Sequence, residues 1–193
     1  MAFISGIAKQ MRPVFLIGYM GCGKTTLGEV LARQMGLRFI DLDEFIEARQ
    51  GMTIPQIFDQ MGEARFRELE TEALSEVAVT QDVIVGCGGG TPCHGGNMDL
   101  MNQAGTTVWL TTSPERITAR LLLPEQKSKR PKILHLPDEE VLPLVKAELQ
   151  ARAPIYGQAQ LQFDSTDIET AQETEVTARR LATILTSPCH STE

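Results

Sequence analysis

The sequence contains no hydrophobic run long enough to cross a membrane. Its longest apolar stretches, such as residues 14–17 and 121–123, are far shorter than the ~20 residues that a transmembrane helix requires. The first residues include Lys9 and Arg12 but no apolar segment followed by a small-residue cleavage site, so no secretory signal is predicted. We therefore expect a cytoplasmic protein with no membrane partner.

The sequence also lacks an excess of positive charge. Its 18 Lys and Arg residues are outnumbered by 25 Asp and Glu residues, and the formal net charge is -7. A broad surface for nucleic acid or anionic lipid would need clustered basic residues in excess. Nucleic acid is therefore not an expected partner, whereas local basic pockets for small anions are compatible with this composition.

Cysteine is sparse, with four residues in the chain: Cys22, Cys87, Cys93 and Cys189. No two of them have C-x-x-C spacing, and we interpret them as free thiols in a reducing cytosol. Cys87 and Cys93, with His94, form the one group that resembles a metal site. The glycines around them favour another role, so we do not predict zinc.

The chain does have the composition of an ordinary globular protein. Of its 193 residues, 42% are hydrophobic and 22% are charged. This length suffices for one well-buried core but is short for a second full domain. We predict a single domain over residues 1–193, with a core at about 13–185, a short arm at 1–12 and a loose tail at 187–193.

Apolar strand-like runs alternate with helical patterns along the chain. The first run, residues 14–17, stops at Gly18, and a helix is predicted over 25–35 with Gly36 as its stop. Further strands are predicted at 38–43, 82–86, 106–110 and 159–164. Further helices are predicted at 44–49, around 54–58 up to a break at Gly62, at 63–79, from 114 onward, at 139–152 and at 173–185. This alternation predicts an α/β fold of three layers, with a central parallel sheet flanked by helices on both faces.

One segment interrupts this alternation. Residues 123–137 contain three prolines and four Lys or Arg residues, which indicates a mobile basic segment. A solvated loop is the alternative, and it suits Lys127 and Lys129 better than Arg130.

The strongest motif lies between the first predicted strand and helix. Residues 18–25 read Gly-Tyr-Met-Gly-Cys-Gly-Lys-Thr, a complete G-x-x-x-x-G-K-[ST] phosphate loop, or P-loop. Its glycines let backbone N–H groups surround the phosphates of a nucleotide, and Lys24 can reach the β- and γ-phosphates. The Thr25 hydroxyl is placed to bind magnesium. A glycine turn with no phosphate function is the alternative, and the match of motif and context disfavours it.

The second predicted strand ends in two acidic residues. Asp41 and Asp43 should lie beside the phosphate loop, because the carboxyl ends of neighbouring parallel strands meet at one edge of the sheet. We expect their side chains to point apart and to have different roles, one holding hydrated magnesium and the other a substrate hydroxyl. Capping of the following helix is an alternative role for Asp43.

Two further patterns are compatible with an acceptor site. Arg67 and Glu70 are three residues apart and share a helix face; they form either a surface salt bridge or a guanidinium poised for a substrate carboxylate. Three consecutive glycines, Gly88, Gly89 and Gly90, favour a loop that presents N–H groups to a substrate, with a plain tight turn as the alternative. No acid ends the strand before them, so magnesium binding must depend on Thr25 and Asp41.

Together these elements resemble the shikimate kinase family, within the nucleoside-monophosphate-kinase-like group of P-loop folds. The resemblance runs in order over most of the chain and is carried by residues 18–25, Asp41-Leu42-Asp43, Gly62-Glu63, Phe66-Arg67, Glu70, Gly88 to Gly90, Arg130-Pro131 and residues 152–156. It implies transfer of the ATP γ-phosphate to the 3-hydroxyl of shikimate, with Mg²⁺ as cofactor and a monomer as the working unit.

The resemblance also implies roles for individual residues. Lys24, Asp43 and Arg130 would be catalytic, and Thr25 and Asp41 would bind the metal. ATP would be bound by Gly21, Cys22, Gly23, Lys24, Thr25, Thr26, Arg120 and Arg130. Shikimate would be bound by Asp43, Arg67, Glu70, Gly88, Gly89, Gly90 and Arg152. Residues 123–137 would form a lid over ATP, and about 44–79 a helical substrate-binding region.

The chain departs from the family pattern at two places. The family usually follows its lid arginine with Pro-Leu-Leu, whereas here Arg130-Pro131 is followed by Lys132-Ile133-Leu134, and Cys87 takes a place where the family commonly has a small hydroxyl residue. A gluconate-type or nucleotide-type kinase of the same fold, or a noncatalytic nucleotide-binding module, is the alternative function. The acids and arginines fit a hydroxylated carboxylate better than a nucleotide acceptor.

Overall fold

A five-stranded parallel sheet forms the centre of the computed structural model, which describes residues 10–128 and 130–187. The strands lie in the order β2-β3-β1-β4-β5. They are β1 (Val14–Ile17), β2 (Arg38–Asp41), β3 (Val83–Gly86), β4 (Thr106–Thr111) and β5 (Leu161–Asp164). All four pairings are parallel, so the predicted parallel sheet is confirmed.

Nine helices are present in the described residues. They are α1 (Lys24–Met35), α2 (Leu42–Gln50), α3 (Ile54–Val77), α4 (Asn97–Ala104), α5 (Pro114–Leu121), α6 (Pro124–Lys127), α7 (Pro131–Leu134), α8 (Asp138–Tyr156) and α9 (Ala171–Thr186). A short 3₁₀ turn occupies Thr91–Cys93. None of these helices combines the length and the apolar character needed to span a membrane.

The helices cover both faces of the sheet. All four residues of β1 are fully buried, as expected for a central strand with apolar neighbours on each side. Phe15 and Ile17 pack with residues of α2, α3 and α4 on one face. Val14 and Leu16 pack with α1 and α9 on the other. The three-layer prediction is therefore confirmed.

Strand β2 is shorter than predicted. It ends at Asp41, and α2 begins at Leu42. The Asp41 side chain accepts a hydrogen bond from the backbone N–H of Asp43 at 3.1 Å and so acts as the N-cap of α2. The capping role that the sequence offered to Asp43 therefore belongs to Asp41.

Helix α3 changes direction at Gly62, where the sequence predicts a break. Gly62 has φ 80° and ψ 169°, a backbone conformation that glycine adopts without steric cost. A capping box of Thr53 and Gln56 begins the helix. The predicted helical region therefore exists, with its second part ending at Val77.

Three segments differ from their predictions. The 123–137 segment contains α6 and α7. Helix α8 continues past Arg152 and through Pro154, because fully buried Tyr156 anchors its last turn.

Residues 10–12 are not a frayed arm, because Met11 exchanges hydrogen bonds of 2.8 and 2.9 Å with Asp82. The rest of the predicted arm and most of the predicted tail, including Cys189, lie outside the described residues.

Candidate active site

The phosphate loop lies at the carboxyl end of β1 and leads into α1. Gly18, Gly21 and Gly23 all have positive φ, at 140°, 78° and 99°, which disfavours any residue with a Cβ. A Cβ on Gly18 would lie 2.7 Å from the Leu110 carbonyl oxygen, and one on Gly23 would lie 2.0 Å from Ile168. The loop conformation and its close packing therefore both require glycine.

Lys24 points back over this loop. Its Nζ donates hydrogen bonds to the carbonyl oxygens of Gly18 at 2.8 Å and of Tyr19 at 3.0 Å. Together with Gly21, Gly23, Thr25 and Thr26, Lys24 lines a cavity of about 650 Å³. The structure thus brings the loop lysine and the start of α1 to a space large enough for a small-molecule ligand.

Thr25 and Asp41 meet as the sequence predicts. The Thr25 hydroxyl donates to Asp41 Oδ2 at 3.0 Å, and both residues line the cavity. A hydroxyl and a carboxylate are oxygen ligands, which Mg²⁺ prefers over nitrogen and sulfur. The pair therefore fits a magnesium ion that keeps several waters.

Asp43 lies in the first turn of α2 and not on the strand. The prediction that Asp41 and Asp43 diverge from one strand has the wrong geometry, since residues two apart on a strand share a face. Burial raises the pKa of Asp43 from 3.8 to about 6, with further increases from Asp41 and Glu70 and an opposing effect of Lys24. The charge of this carboxyl group is therefore favoured by the loop lysine and opposed by the two neighbouring acidic groups.

Arg67 and Glu70 form a partly buried pair. Arg67 Nη1 lies 3.0 Å from Glu70 Oε2, and Glu70 is 1% exposed. Thr91 donates its hydroxyl hydrogen to Glu70, and exposed Glu63 contacts the other guanidinium nitrogen of Arg67 at 3.1 Å. Burial of Glu70 rules out the plain surface salt bridge that the spacing left open.

The three glycines join the parts of the site. A Cβ on Gly88 would lie 3.1 Å from Asp43 and 3.2 Å from Glu70. A Cβ on Gly90 would lie 2.9 Å from the guanidinium of Arg67. The segment is also a tight turn, because the Thr91 amide donates to the Gly88 carbonyl at 3.1 Å. Close approach of neighbouring side chains leaves little room for a Cβ here, so that a larger residue would displace them.

Arg152 reaches the same turn from α8. Its guanidinium donates to the Gly89 carbonyl at 3.2 Å and lies 5.3 Å from the centre of the Tyr19 ring. The Tyr156 hydroxyl donates to the same carbonyl. The predicted substrate residues Arg67, Glu70, Gly90 and Arg152 do not line the 650 Å³ cavity but adjoin it through Gly88 and Gly89.

Arg130 and Arg120 also line the cavity. Arg130 precedes α7 and donates to the Gln126 carbonyl at 2.7 Å; burial lowers the pKa of its guanidinium. Arg120, on α5, donates to the Gly21 carbonyl at 3.1 Å and to Glu169 at 2.8 Å. Arg120 is therefore tied to the phosphate loop itself.

Two side chains near the cavity differ from their expected settings. The Cys22 side chain is 1% exposed and lies beneath the loop, away from the large cavity. Lys127 is not simply solvated, because it donates to the Leu136 carbonyl at 2.9 Å and to Asp138 at 2.6 Å. Lys129 lies outside the described residues. Cys22, Cys87 and Cys93 are free thiols.

The sequence reasoning missed the segment after β5. Ile168 and Glu169 line the cavity, and the Ser165 hydroxyl donates to the Cys22 carbonyl at 2.8 Å. The signal that could have found it was positional, because the carboxyl end of every parallel strand reaches the same edge of the sheet.

These features define the class of the protein. A strand-loop-helix phosphate site with a lysine and a threonine-aspartate pair, faced by arginines from other elements, is the site of a P-loop phosphotransferase. The chain belongs to the shikimate kinase family, since the family model described as shikimate kinase matches residues 20–184. The resemblance inferred from the sequence is confirmed.

Individual relatives agree with this assignment. A shikimate kinase of Phocaeicola vulgatus is 44% identical over 171 residues, which cover 89% of this chain and 97% of that protein. The crystal structure of shikimate kinase from Bacteroides thetaiotaomicron has a TM-score of 0.86 at 42% identity and covers 91% of this chain and 98% of that one. A structure of shikimate kinase from Acinetobacter baumannii in complex with shikimate has a TM-score of 0.75 at 32% identity, with coverage of 91% and 93%.

Proposed function

We propose that this chain transfers the γ-phosphate of ATP to the 3-hydroxyl of shikimate, giving shikimate 3-phosphate and ADP. One observation supports this most directly: Asp43 lines the same cavity as Lys24 and lies next to Glu70, the buried partner of Arg67. A Cβ on Gly88 would lie 3.1 Å from Asp43 and 3.2 Å from Glu70, so the two carboxyl groups meet at this turn. A substrate that accepts the phosphate on a hydroxyl and has a carboxylate at its other end fits this order of groups.

Asp43 is suited to bind and deprotonate the attacked hydroxyl. With burial raising its pKa to about 6, the carboxyl group is ionised at pH 7 to 8 and is a stronger base than an ordinary aspartate. Its place beside the phosphate loop puts the proton acceptor on the acceptor side of the transferred group.

Lys24 and Arg130 would supply positive charge to the transferring phosphate. Phosphoryl transfer asks a protein mainly for alignment and for charge around an in-line displacement. Thr25 and Asp41 would hold Mg²⁺, which neutralises charge on the nucleotide phosphates when bound. Arg120, held against Gly21, would lie on the nucleotide side.

Arg67 and Arg152 would bind the shikimate carboxylate. They come from different helices, and each is held by an acid or a carbonyl that fixes its guanidinium. A fixed planar guanidinium can bind a carboxylate bidentately. Two such groups at one turn would favour a substrate that bears a carboxylate.

Residues 123–137, which contain α6 and α7, would close as a lid and exclude water from the reaction. Monomeric action in the cytoplasm stays a prediction.

A mixing assay tests the function. Purified protein with ATP and Mg²⁺ should consume ATP when shikimate is added and should form shikimate 3-phosphate. Gluconate and a nucleoside monophosphate serve as matched alternative acceptors. Turnover with either of these, and none with shikimate, would overturn the proposal.

A further inference from the structure

Glu148 receives contacts from three separate parts of the molecule. It lies on α8, one helical turn before Arg152, and its Oε2 accepts hydrogen bonds from Arg152 at 3.2 Å and from the Tyr19 hydroxyl at 2.9 Å. Its other oxygen forms an ion pair with Lys132. The side chain is 15% exposed, so these contacts largely replace water.

Each partner belongs to a different functional part. Tyr19 is in the phosphate loop, Lys132 is on α7 of the proposed lid, and Arg152 is the proposed ligand of the substrate carboxylate. Lys132 is also one of the positions where the chain departs from the usual family pattern. A single carboxylate therefore connects nucleotide, lid and acceptor elements.

Glu148 also fixes the Arg152 guanidinium from one side. On the other side Arg152 donates to the Gly89 carbonyl at 3.2 Å, and the ring of Tyr19 lies against it at 5.3 Å. Glu148, the Gly89 carbonyl and the Tyr19 ring thus restrain the Arg152 guanidinium before any substrate binds. Preorganisation of this kind lowers the ordering cost of binding.

The charges give Glu148 a second role. Burial lowers the pKa of Lys132, the nearby positive charge of Arg152 lowers it further, and the negative charge of Glu63 opposes both effects. Without an anion between them, the two cations would repel each other. With Glu148 present, one net positive charge remains to attract a carboxylate.

We infer that Glu148 is a positioning residue that orients Arg152 for the acceptor carboxylate and, through Lys132, couples this arginine to the lid. This inference rests on the proposed function. The contrasting view is that Glu148 and Arg152 form an ordinary pair four residues apart on a helix. Such a pair contributes little to stability and nothing to substrate affinity.

Replacement of Glu148 by Gln separates these views, because it preserves shape and removes the charge. We expect the KM for shikimate to rise about tenfold, the loss of roughly one charge-assisted hydrogen bond. The KM for ATP should change less than twofold. Glu140→Gln, at an exposed position on the same helix, is the matched control and should leave both constants unchanged.

Binding without turnover gives an independent measurement. Trp109 is the one tryptophan of the chain. Its ring lies 5.8 Å from the ring of Tyr156, whose hydroxyl donates a hydrogen bond to the Gly89 carbonyl. The fluorescence of Trp109 should therefore respond when shikimate binds. In the absence of ATP, the Kd for shikimate should also rise about tenfold in Glu148→Gln. Glu148→Asp keeps the charge on a shorter side chain and should bind shikimate more tightly than Glu148→Gln does. It is the second test variant if Glu148→Gln folds poorly.

A double-mutant cycle tests the coupling to the lid. Lys132→Met and Glu148→Gln should each raise the shikimate KM. If Lys132 and Glu148 act through one contact, the KM of the double variant should be lower than the product of the two single effects predicts. Lys146→Met, on the same helix but paired with Glu115, should combine with Glu148→Gln by simple multiplication. Simple multiplication for Lys132 as well would overturn the lid coupling.

The outcomes separate this inference from the function on which it rests. If the unaltered chain does not phosphorylate shikimate, the proposed function fails and the inference fails with it. If the unaltered chain phosphorylates shikimate while Glu148→Gln and Glu148→Asp both match Glu140→Gln in shikimate KM and Kd, only the positioning role is overturned.

Discussion

The surroundings of Asp43 disfavour the charged form of its carboxyl group. Its burial beside Asp41 and Glu70 raises the pKa, and Lys24 only partly offsets this effect. The folded state therefore binds a proton more tightly than the unfolded chain does between about pH 4 and pH 6. Stability contributed at this site is lost as the pH rises through that window, the reverse of a salt-bridged aspartate.

The first prediction concerns Asp43→Asn. Because the pKa is about 6 against an ordinary 3.8, the variant should be more stable than the unaltered chain at pH 7.5, by up to about 3 kcal/mol. The gain should fall to about half by pH 5. Turnover should drop at least ~100-fold, since the proposed base is removed. Urea unfolding at both pH values and steady-state kinetics measure these effects.

The same residue determines the acid limb of the activity profile. In the unaltered chain kcat should fall as the pH drops through about 6. Asp59→Asn, at an exposed position on α3, is the control and should change neither stability nor the profile. A kcat that stays constant from pH 8 to pH 5 would contradict the base role of Asp43.

Single residues were predictable where a motif fixes them. Lys24 and Thr25 follow from the phosphate-loop pattern, and the structure places both in the cavity. The N-cap role of Asp41 was not predictable, because it depends on where β2 yields to α2, and one hydrogen bond decides that boundary. Glu148 was missed because an acid four residues from an arginine is common on helices.

At the scale of elements, the three-glycine turn sets the position of a helix side chain. Gly90 has φ −90°, which any residue can adopt, yet a Cβ there would lie 2.9 Å from Arg67 Nη1. Gly36, which ends α1, is the opposite case: φ is 67°, and a Cβ there would have no atom within 4 Å. A side chain at position 90 would therefore displace Arg67, whereas a side chain at position 36 would strain the backbone.

The second prediction compares alanine at these two positions. Gly90→Ala should displace the Arg67 guanidinium and raise the shikimate KM about tenfold, with little change in unfolding free energy. Gly36→Ala should reduce the unfolding free energy by about 1 kcal/mol through backbone strain and leave the KM unchanged. Kinetics and urea unfolding of both variants give the comparison, and equal kinetic effects would contradict it.

Element types were more predictable than element ends. The residue spacing identified β1 and α1 because apolar periodicity and glycine stops agree there. Helix α8 extends beyond its predicted end because the buried Tyr156 outweighs the cost of Pro154. Helices α6 and α7 are four residues each, too short to produce a periodic signal.

At the scale of the whole molecule, the strand order gathers the chemistry. Alternating strands and helices predicted the parallel sheet, but not the central place of β1 or the edge places of β2 and β5. Those depend on long-range pairings that local patterns do not encode. The order places the loop after β1, the acids after β2 and the glycines after β3 at one edge of the sheet.

The third prediction is a global one. ADP with Mg²⁺ at 100 times its Kd should raise the unfolding free energy by about 2.7 kcal/mol, because only the folded chain has the site. Asp41→Asn, which retains an N-cap residue, should keep the stabilisation by ADP alone and lose the increment that Mg²⁺ adds. Thermal unfolding with each ligand measures this, with Glu44→Gln on the exposed start of α2 as control. An undiminished Mg²⁺ increment in Asp41→Asn would contradict the metal assignment.

The central position of β1 also has a consequence for biosynthesis. Its first pairing, Val14 with Ile84, spans about seventy residues, so the ribosome exposes an apolar strand long before a partner exists. The loop after β1 is completed later still, since Ser165 reaches Cys22 from 143 positions away and Ile168 packs against Gly23. The nascent chain therefore displays its nucleotide-binding sequence early but can hold nucleotide only after the fifth strand has left the exit tunnel.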